Sequence, residues 1–114
     1  MSKITFKIAN RGEGKTRWLL EKAHELRGES LKFYSTTTQE YMLFCEKYLN
    51  FYNEICRVEH LDIEKLTSDD IVLIDDLFSI SDATININYI KNVAKKLYIT
   101  LEGNIEWILL MYNL

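Results

Sequence analysis

The residue types best suited to chemistry are concentrated between Ala9 and Thr16, which read Ala-Asn-Arg-Gly-Glu-Gly-Lys-Thr. The closing Gly14-Lys15-Thr16 and the spacing fit a phosphate-binding loop, with Ala9 where that pattern usually has glycine. Glycine allows several main-chain N–H groups to converge on one anion. The residues expected to contact phosphate are Asn10, Arg11, Gly12, Glu13, Gly14, Lys15, Thr16 and Arg17.

The side chains of this loop predict separate roles. Lys15 is expected to reach the β- and γ-phosphates as a catalytic point charge, and the Thr16 hydroxyl to ligate Mg²⁺. Arg11 is a candidate for a bidentate contact with a γ-phosphate, but a solvated loop charge is an equally good interpretation. Glu13 and Arg17 are interpreted as surface residues rather than catalysts.

The flanking segments predict the elements that position this loop. Residues 3–9 alternate polar and apolar side chains, as a strand does. After Thr16, apolar residues recur at helical spacing up to Gly28. The helix would direct its unpaired N–H groups and positive dipole end at a bound anion.

A second group of candidate residues ends the apolar run Ile71–Ile74, which is typical of a buried strand followed by Asp75 and Asp76. Ligands of open α/β sheets gather at the carboxyl ends of the strands. Asp75 is therefore expected beside the loop, where it would complete a Mg²⁺ site with Thr16. Asp76 is the candidate for orienting or deprotonating a catalytic water. The alternative is that the acidic pair only ends a strand and begins a turn.

The remaining pattern predicts an alternating α/β chain. Further strands are expected at 31–35, 97–101 and 105–112, with a short extra strand at 55–61. The last two could be a hairpin or parallel neighbours, and the short connection between them favours the hairpin. Thr37 and Glu40 form a capping-box pair that opens a helix. Its aromatic stripe could stack bases, but core packing is the preferred interpretation. Apolar spacing over 85–97 predicts another helix.

With these motifs the chain resembles a P-loop NTPase, in which Ala9–Thr16 would be the Walker A motif and Ile71–Asp76 the Walker B motif. The strand sequence is similar to the RecA-like and AAA-like branch. That resemblance implies a three-layer α/β sandwich with a mostly parallel five-stranded sheet, in the order 5-1-4-3-2, and helices on both faces. It also implies a γ-phosphate-sensing role for Thr100 or Glu102 after the fourth strand. The loop is similar to that of viral DNA-packaging terminase ATPases.

Two departures from the family pattern bear on activity. Ala9 replaces the first glycine, which should leave binding intact. Asp76 stands where the motor ATPases usually have Glu, and its shorter side chain reaches less far towards a water molecule. Nucleotide binding is therefore predicted more firmly than hydrolysis.

Bulk properties limit the function further. A chain of 114 residues fits one domain, 1–114, and a formal charge of −3 argues against a broadly basic nucleic-acid surface while leaving a local contact open. No signal-peptide pattern or membrane-length apolar run is present, so a cytoplasmic location is expected. Cys45, Cys56 and His60 make a poor metal set, and reduced thiols are expected. The small size and the Ile-, Asn- and Lys-rich composition suit a gene product of a phage or another mobile element.

The missing motifs narrow the class of reaction. The chain has no Asn-Lys-x-Asp motif, which argues against a GTPase, and no Leu-Ser-Gly-Gly-Gln motif, which argues against a transporter-type ATPase. It has no arginine after Arg57, which argues against a nucleotide kinase with an arginine-bearing lid. An arginine finger would have to come from Arg11, from Arg27 or Arg57 of a neighbouring copy, or from a partner. The leading hypothesis is a minimal Mg²⁺-dependent ATPase, slow alone and stimulated by self-assembly or a partner. A nucleotide-binding regulator without turnover is the alternative, and a small-molecule kinase ranks third.

Overall fold

Five parallel strands form the centre of the fold. The computed structural model describes residues 3–10, 12–76 and 83–103. The strands are β1 (Ile4–Ile8), β2 (Ser30–Phe33), β3 (Glu59–His60), β4 (Asp70–Ile74) and β5 (Lys96–Leu101). The helices are α1 (Lys15–Glu25), α2 (Thr38–Tyr52) and α3 (Ala83–Val93), with a 3₁₀ turn at Ile63–Lys65. This arrangement confirms an α/β fold with a parallel sheet.

The strand order is β1-β5-β4-β2-β3, and every pairing is parallel. The four predicted strands that the structure describes thus lie in their predicted relative order, but the sheet order differs from the predicted one because an additional strand, β3, lies beside β2 at the edge. The predicted strand 105–112, with its hairpin, lies outside the described residues. The fifth strand is instead β3, which pairs with β2 at the other edge through only two residues, Glu59 and His60. The prediction of a short strand at 55–61 thus located β3 but made it too long.

The sheet is covered on both faces, which fits a three-layer arrangement. Helices α1 and α2 pack on one face against Ile71 and Leu73 of β4. On the other face, α3 and the 3₁₀ turn pack against Val72 and Ile74. All of β4 is buried because successive side chains point to opposite covered faces. A strand buried in this way holds the residue that follows it, Asp75, in a fixed position.

The helix boundaries follow their capping residues. Thr37 precedes α2 and its hydroxyl accepts a 3.2 Å hydrogen bond from the Glu40 N–H, as the predicted capping box requires. Asn53 ends α2 with a φ of 54°, in the left-handed region that asparagine tolerates. Phe44 and Tyr48 of the aromatic stripe are buried, which confirms core packing, whereas Leu49 is 46% exposed. No helix in the described part of the chain is long and apolar enough to cross a membrane.

Candidate phosphate and metal site

The loop between β1 and α1 is built on two glycines in left-handed backbone. Gly12 has a φ of 84°, and Gly14, which directly precedes α1, has a φ of 86°. A Cβ at either position would meet no atom within 4 Å, so the requirement for glycine is conformational rather than steric. The Gly14 carbonyl accepts the first helical hydrogen bond, from Trp18 N–H at 2.9 Å. The amino end of α1 therefore begins at Lys15, inside the loop.

The Lys15 side chain lies under this loop and is only 11% exposed. Its ammonium donates a 3.3 Å hydrogen bond to the Ala9 carbonyl, which ties the two ends of the loop together. It also lies 3.7 Å from Glu102 Oε2, on a carboxylate that is about half exposed. This largely buried ammonium has one carbonyl and one half-exposed carboxylate as partners. It should therefore strongly attract an anion that carries more negative charge than the carboxylate.

Thr16 and Asp75 meet although 59 residues separate them in sequence. The Thr16 hydroxyl donates a 2.9 Å hydrogen bond to Asp75 Oδ2. Thr16 is in the first turn of α1, and Asp75 directly follows β4, so the two are brought together by the neighbouring carboxyl ends of the sheet. Hydroxyl and carboxylate oxygens are the ligands that Mg²⁺ takes from proteins in phosphate sites. The sequence-based expectation that these two residues are neighbours is thus met in the geometry.

Thr100 lies behind Asp75 and is fully buried. Its hydroxyl donates a 2.6 Å hydrogen bond to Asp75 Oδ1 and accepts a 2.7 Å hydrogen bond from the Asp76 N–H. The single hydroxyl hydrogen is therefore used on Asp75, and in this arrangement Thr100 orients the carboxylate from the side opposite Thr16. A direct contact with a γ-phosphate stays a prediction.

Asp76 occupies an unusual backbone position. Its φ is 53°, which is uncommon outside glycine, although aspartate is among the residues that tolerate it. The hydrogen bond from its N–H to the Thr100 hydroxyl joins this turn to β5 and stabilises the left-handed backbone. Asp76 borders the same cleft as Asp75, which is the position predicted for a water-orienting group. Its side chain is shorter than that of the glutamate usual in motor ATPases.

These residues surround one open cleft of about 550 Å³ at the carboxyl edge of the sheet. The described residues lining it are Gly12, Gly14, Lys15, Thr16, Arg17, Asp75, Asp76 and Glu102. Arg17 is at the rim, 67% exposed and 3.3 Å from Glu21, which agrees with its interpretation as a surface residue. Asn10 is exposed, and its carbonyl accepts a 3.1 Å bond from Glu13 N–H. Arg11 lies outside the described residues.

The sequence reasoning missed two features of this site. It did not anticipate the Lys15–Glu102 pair, although Glu102 directly follows β5 at the same edge as the loop. It also missed the double hydrogen bond of Thr100. The predicted order already placed the fourth strand between the first and the third, as β5 lies between β1 and β4. What it did not give is the direction of each side chain at these strand ends.

The other candidate residues lie elsewhere. Arg27 and Arg57 border a separate cavity of about 470 Å³ beside Gly28 and Leu31, near the amino ends of the strands. They cannot serve the cleft of their own chain without a large rearrangement. A role in a neighbouring copy stays a prediction.

The cysteines and His60 do not form a metal centre in the described part of the chain, where no cluster of three potential ligand side chains occurs. Cys45 and Cys56 are free and half-buried. Burial raises the pKa of Cys56 to about 12, so its thiol stays protonated at neutral pH. His60 Nε2 is instead 2.8 Å from Ser35 Oγ.

No protein-family model, curated protein or solved structure matches this chain. The function is therefore inferred from the geometry of the cleft and the chemistry of its residues.

Proposed function

We propose that the cleft binds a nucleoside triphosphate, with ATP as the expected nucleotide, together with Mg²⁺. The observation that carries this proposal is the 2.9 Å contact between Thr16 and Asp75 beside a lysine that is almost completely buried under a glycine loop. Each feature alone has a structural explanation. Together they offer main-chain donors, a helix amino end, a cation and two oxygen ligands on one side of a single cleft.

Each residue has a defined part in this proposal. Thr16 and Asp75 would hold Mg²⁺, whose charge would offset that of the phosphates. The loop N–H groups and Lys15 would bind the phosphate chain, which requires Lys15 to exchange its contact with Glu102 for one with phosphate. Thr100 would keep the Asp75 carboxylate in place.

For turnover, the proposal is slow hydrolysis in which Asp76 orients or deprotonates water, stimulated by self-assembly or by a partner. A nucleotide-binding regulator without turnover is the second candidate. It is favoured by one observation: the short Asp76 side chain begins from a backbone that is tied back to Thr100. Such an anchor limits how far the carboxylate can advance into the cleft.

Calorimetric titration with ATP and a non-hydrolysable analogue, with and without Mg²⁺, tests the binding proposal. Lys15→Ala should abolish measurable binding because the buried cation is lost. Lys96→Ala, the same change at an exposed position at the start of β5, is the matched control and should bind as the wild type does. Equal affinities in wild type and Lys15→Ala would refute the proposed site.

Phosphate release separates the two candidates for turnover. A slow hydrolase should lose activity in Asp76→Asn while retaining ATP affinity, and Asp76→Glu should be at least as active as the wild type. A regulator should release no phosphate in any of these proteins. Specific activity that is constant over protein concentration and with added DNA would remove the idea of stimulation by assembly or nucleic acid.

A further inference from the structure

A second groove opens directly beside the phosphate cleft, between the outer surfaces of α1 and α2. It has a volume of about 440 Å³ and a largely apolar lining. The residues lining it are Thr16, Arg17, Leu20, Lys47, Asn50 and Phe51. Thr16 and Arg17 line the phosphate cleft as well, so the groove continues the cleft along the first turn of α1.

Phe51 is the aromatic residue of this groove. It is 49% exposed and does not belong to the buried stripe of α2. The guanidinium carbon of Arg17 lies 5.0 Å from the centre of its ring, so a flat cation already rests on the ring face. None of the described residues lining the phosphate cleft is aromatic.

We infer that this groove binds the nucleoside half of the triphosphate, with the base stacked on Phe51. The inference rests on the proposed function, because the phosphates must first occupy the loop. A phosphate chain bound at the amino end of α1 reaches Thr16 and Arg17, which are the residues where the groove begins. The volume lies within the range of about 300–1,000 Å³ that is usual for small-molecule sites.

The Arg17 side chain is compatible with this arrangement. It is 67% exposed, and in the part of the chain that the structure describes it contacts the half-exposed side chains of Glu21 and Phe51. Exposed ion pairs contribute little to stability, so a base can displace the guanidinium from the ring. The displaced guanidinium is then beside the phosphates, where its charge is favourable.

Asn50 gives the groove a preference among bases. Its carboxamide offers both an acceptor and a donor. Adenine presents an amino donor beside a ring-nitrogen acceptor, whereas the corresponding edge of guanine presents two acceptors. One carboxamide can pair with both adenine groups at once when this edge of the base faces Asn50, and in that orientation the groove favours an adenine nucleotide.

The test compares ATP with inorganic tripolyphosphate, which carries the phosphates without a nucleoside. Phe51→Ala should weaken ATP binding roughly 5- to 150-fold, the range expected for losing one stacked base, and should leave tripolyphosphate binding unchanged. Phe51→Trp should retain ATP affinity. Leu49→Ala removes a similarly exposed apolar side chain from the same helix but outside the groove, and is the matched control.

The outcomes distinguish this inference from the proposed function. If tripolyphosphate does not bind the wild type, or binds Lys15→Ala equally well, the phosphate site itself is refuted. If tripolyphosphate binds at the loop but Phe51→Ala leaves ATP affinity unchanged, the groove is not the nucleoside site. Equal affinities of the wild type for ATP and GTP, or an ATP preference that survives in Asn50→Ala, would overturn the role of Asn50.

Discussion

Replacing Thr100 with valine tests whether Asp75 is held in position for a metal ion. Valine has nearly the same shape as threonine, so the fully buried site remains filled. The change removes the 2.6 Å hydrogen bond to Asp75 Oδ1 and leaves the Asp76 N–H without its 2.7 Å acceptor. The Thr16 contact with the other carboxylate oxygen is not altered directly.

The expected magnitudes follow from these two bonds. A hydrogen bond to a charged group contributes about 1.5–3 kcal/mol, so Thr100→Val should lower the free energy of unfolding by about 2–3 kcal/mol. Removing a group that orients a metal-binding carboxylate usually lowers metal affinity about 10- to 100-fold. We therefore expect the Mg²⁺ concentration that half-saturates ATP binding to rise by that factor, while ATP binding without Mg²⁺ stays unchanged.

The assay is ATP titration over a series of Mg²⁺ concentrations, with urea unfolding measured in parallel. Thr5→Val, an identical change at an exposed position in β1, controls for the substitution itself. Thr100→Ser keeps the hydroxyl and should preserve the Mg²⁺ dependence even if its packing is weakened. A Thr100→Val protein with the Mg²⁺ dependence of the wild type would refute the positioning role.

Three further predictions concern charge, backbone and pH. Glu102→Gln should tighten triphosphate binding about 2- to 10-fold in calorimetry, because it removes a carboxylate 3.7 Å from Lys15 that repels phosphate; unchanged or weaker binding would contradict this. Gly14→Ala should lower the free energy of unfolding by about 1–2 kcal/mol, since its φ of 86° disfavours any Cβ although space is available; an unchanged urea midpoint would be the contrary result. Burial raises the pKa of Asp70, but hydrogen bonds, including one from Ser30, outweigh burial and leave it below the ordinary value. Its contribution to stability is thus present above the unfolded pKa of about 3.9 and is lost as pH falls through the lower folded pKa, so the difference in urea midpoint between wild type and Ser30→Ala should shrink in that window.

The parts of the fold that the sequence predicted are those determined by local pattern. The apolar run Ile71–Ile74 predicted a buried strand, and β4 is buried along its whole length. Thr37 and Glu40 fixed the start of α2 through a local hydrogen bond. The short pairing of β3 could not be predicted because it depends on which edge of β2 is available, a tertiary property.

The features of the candidate site that could be predicted are likewise those that depend on local pattern or on a general rule of sheet geometry. Glycines followed by lysine and threonine require a particular backbone, so the loop could be read from its residues alone. The meeting of Thr16 with Asp75 followed from the rule that strand ends share an edge. Thr100 could be placed at that edge, but the direction of its hydroxyl could not, because that direction depends on the left-handed turn at Asp76.

Within the site, the groups proposed for binding are fixed differently from the group proposed for turnover. Asp75 accepts hydrogen bonds from two hydroxyls on two different elements, so its carboxylate is oriented by the protein alone. A ligand oriented in advance loses less conformational freedom when it binds an ion. Asp76 follows one residue later, on a backbone whose position depends on a bond to Thr100. Changes that disturb Thr100 should therefore affect both Mg²⁺ binding and turnover. Changes confined to the Asp76 side chain should remove turnover and leave the affinity for ATP intact. This difference separates a slow hydrolase from a binding protein in experiment.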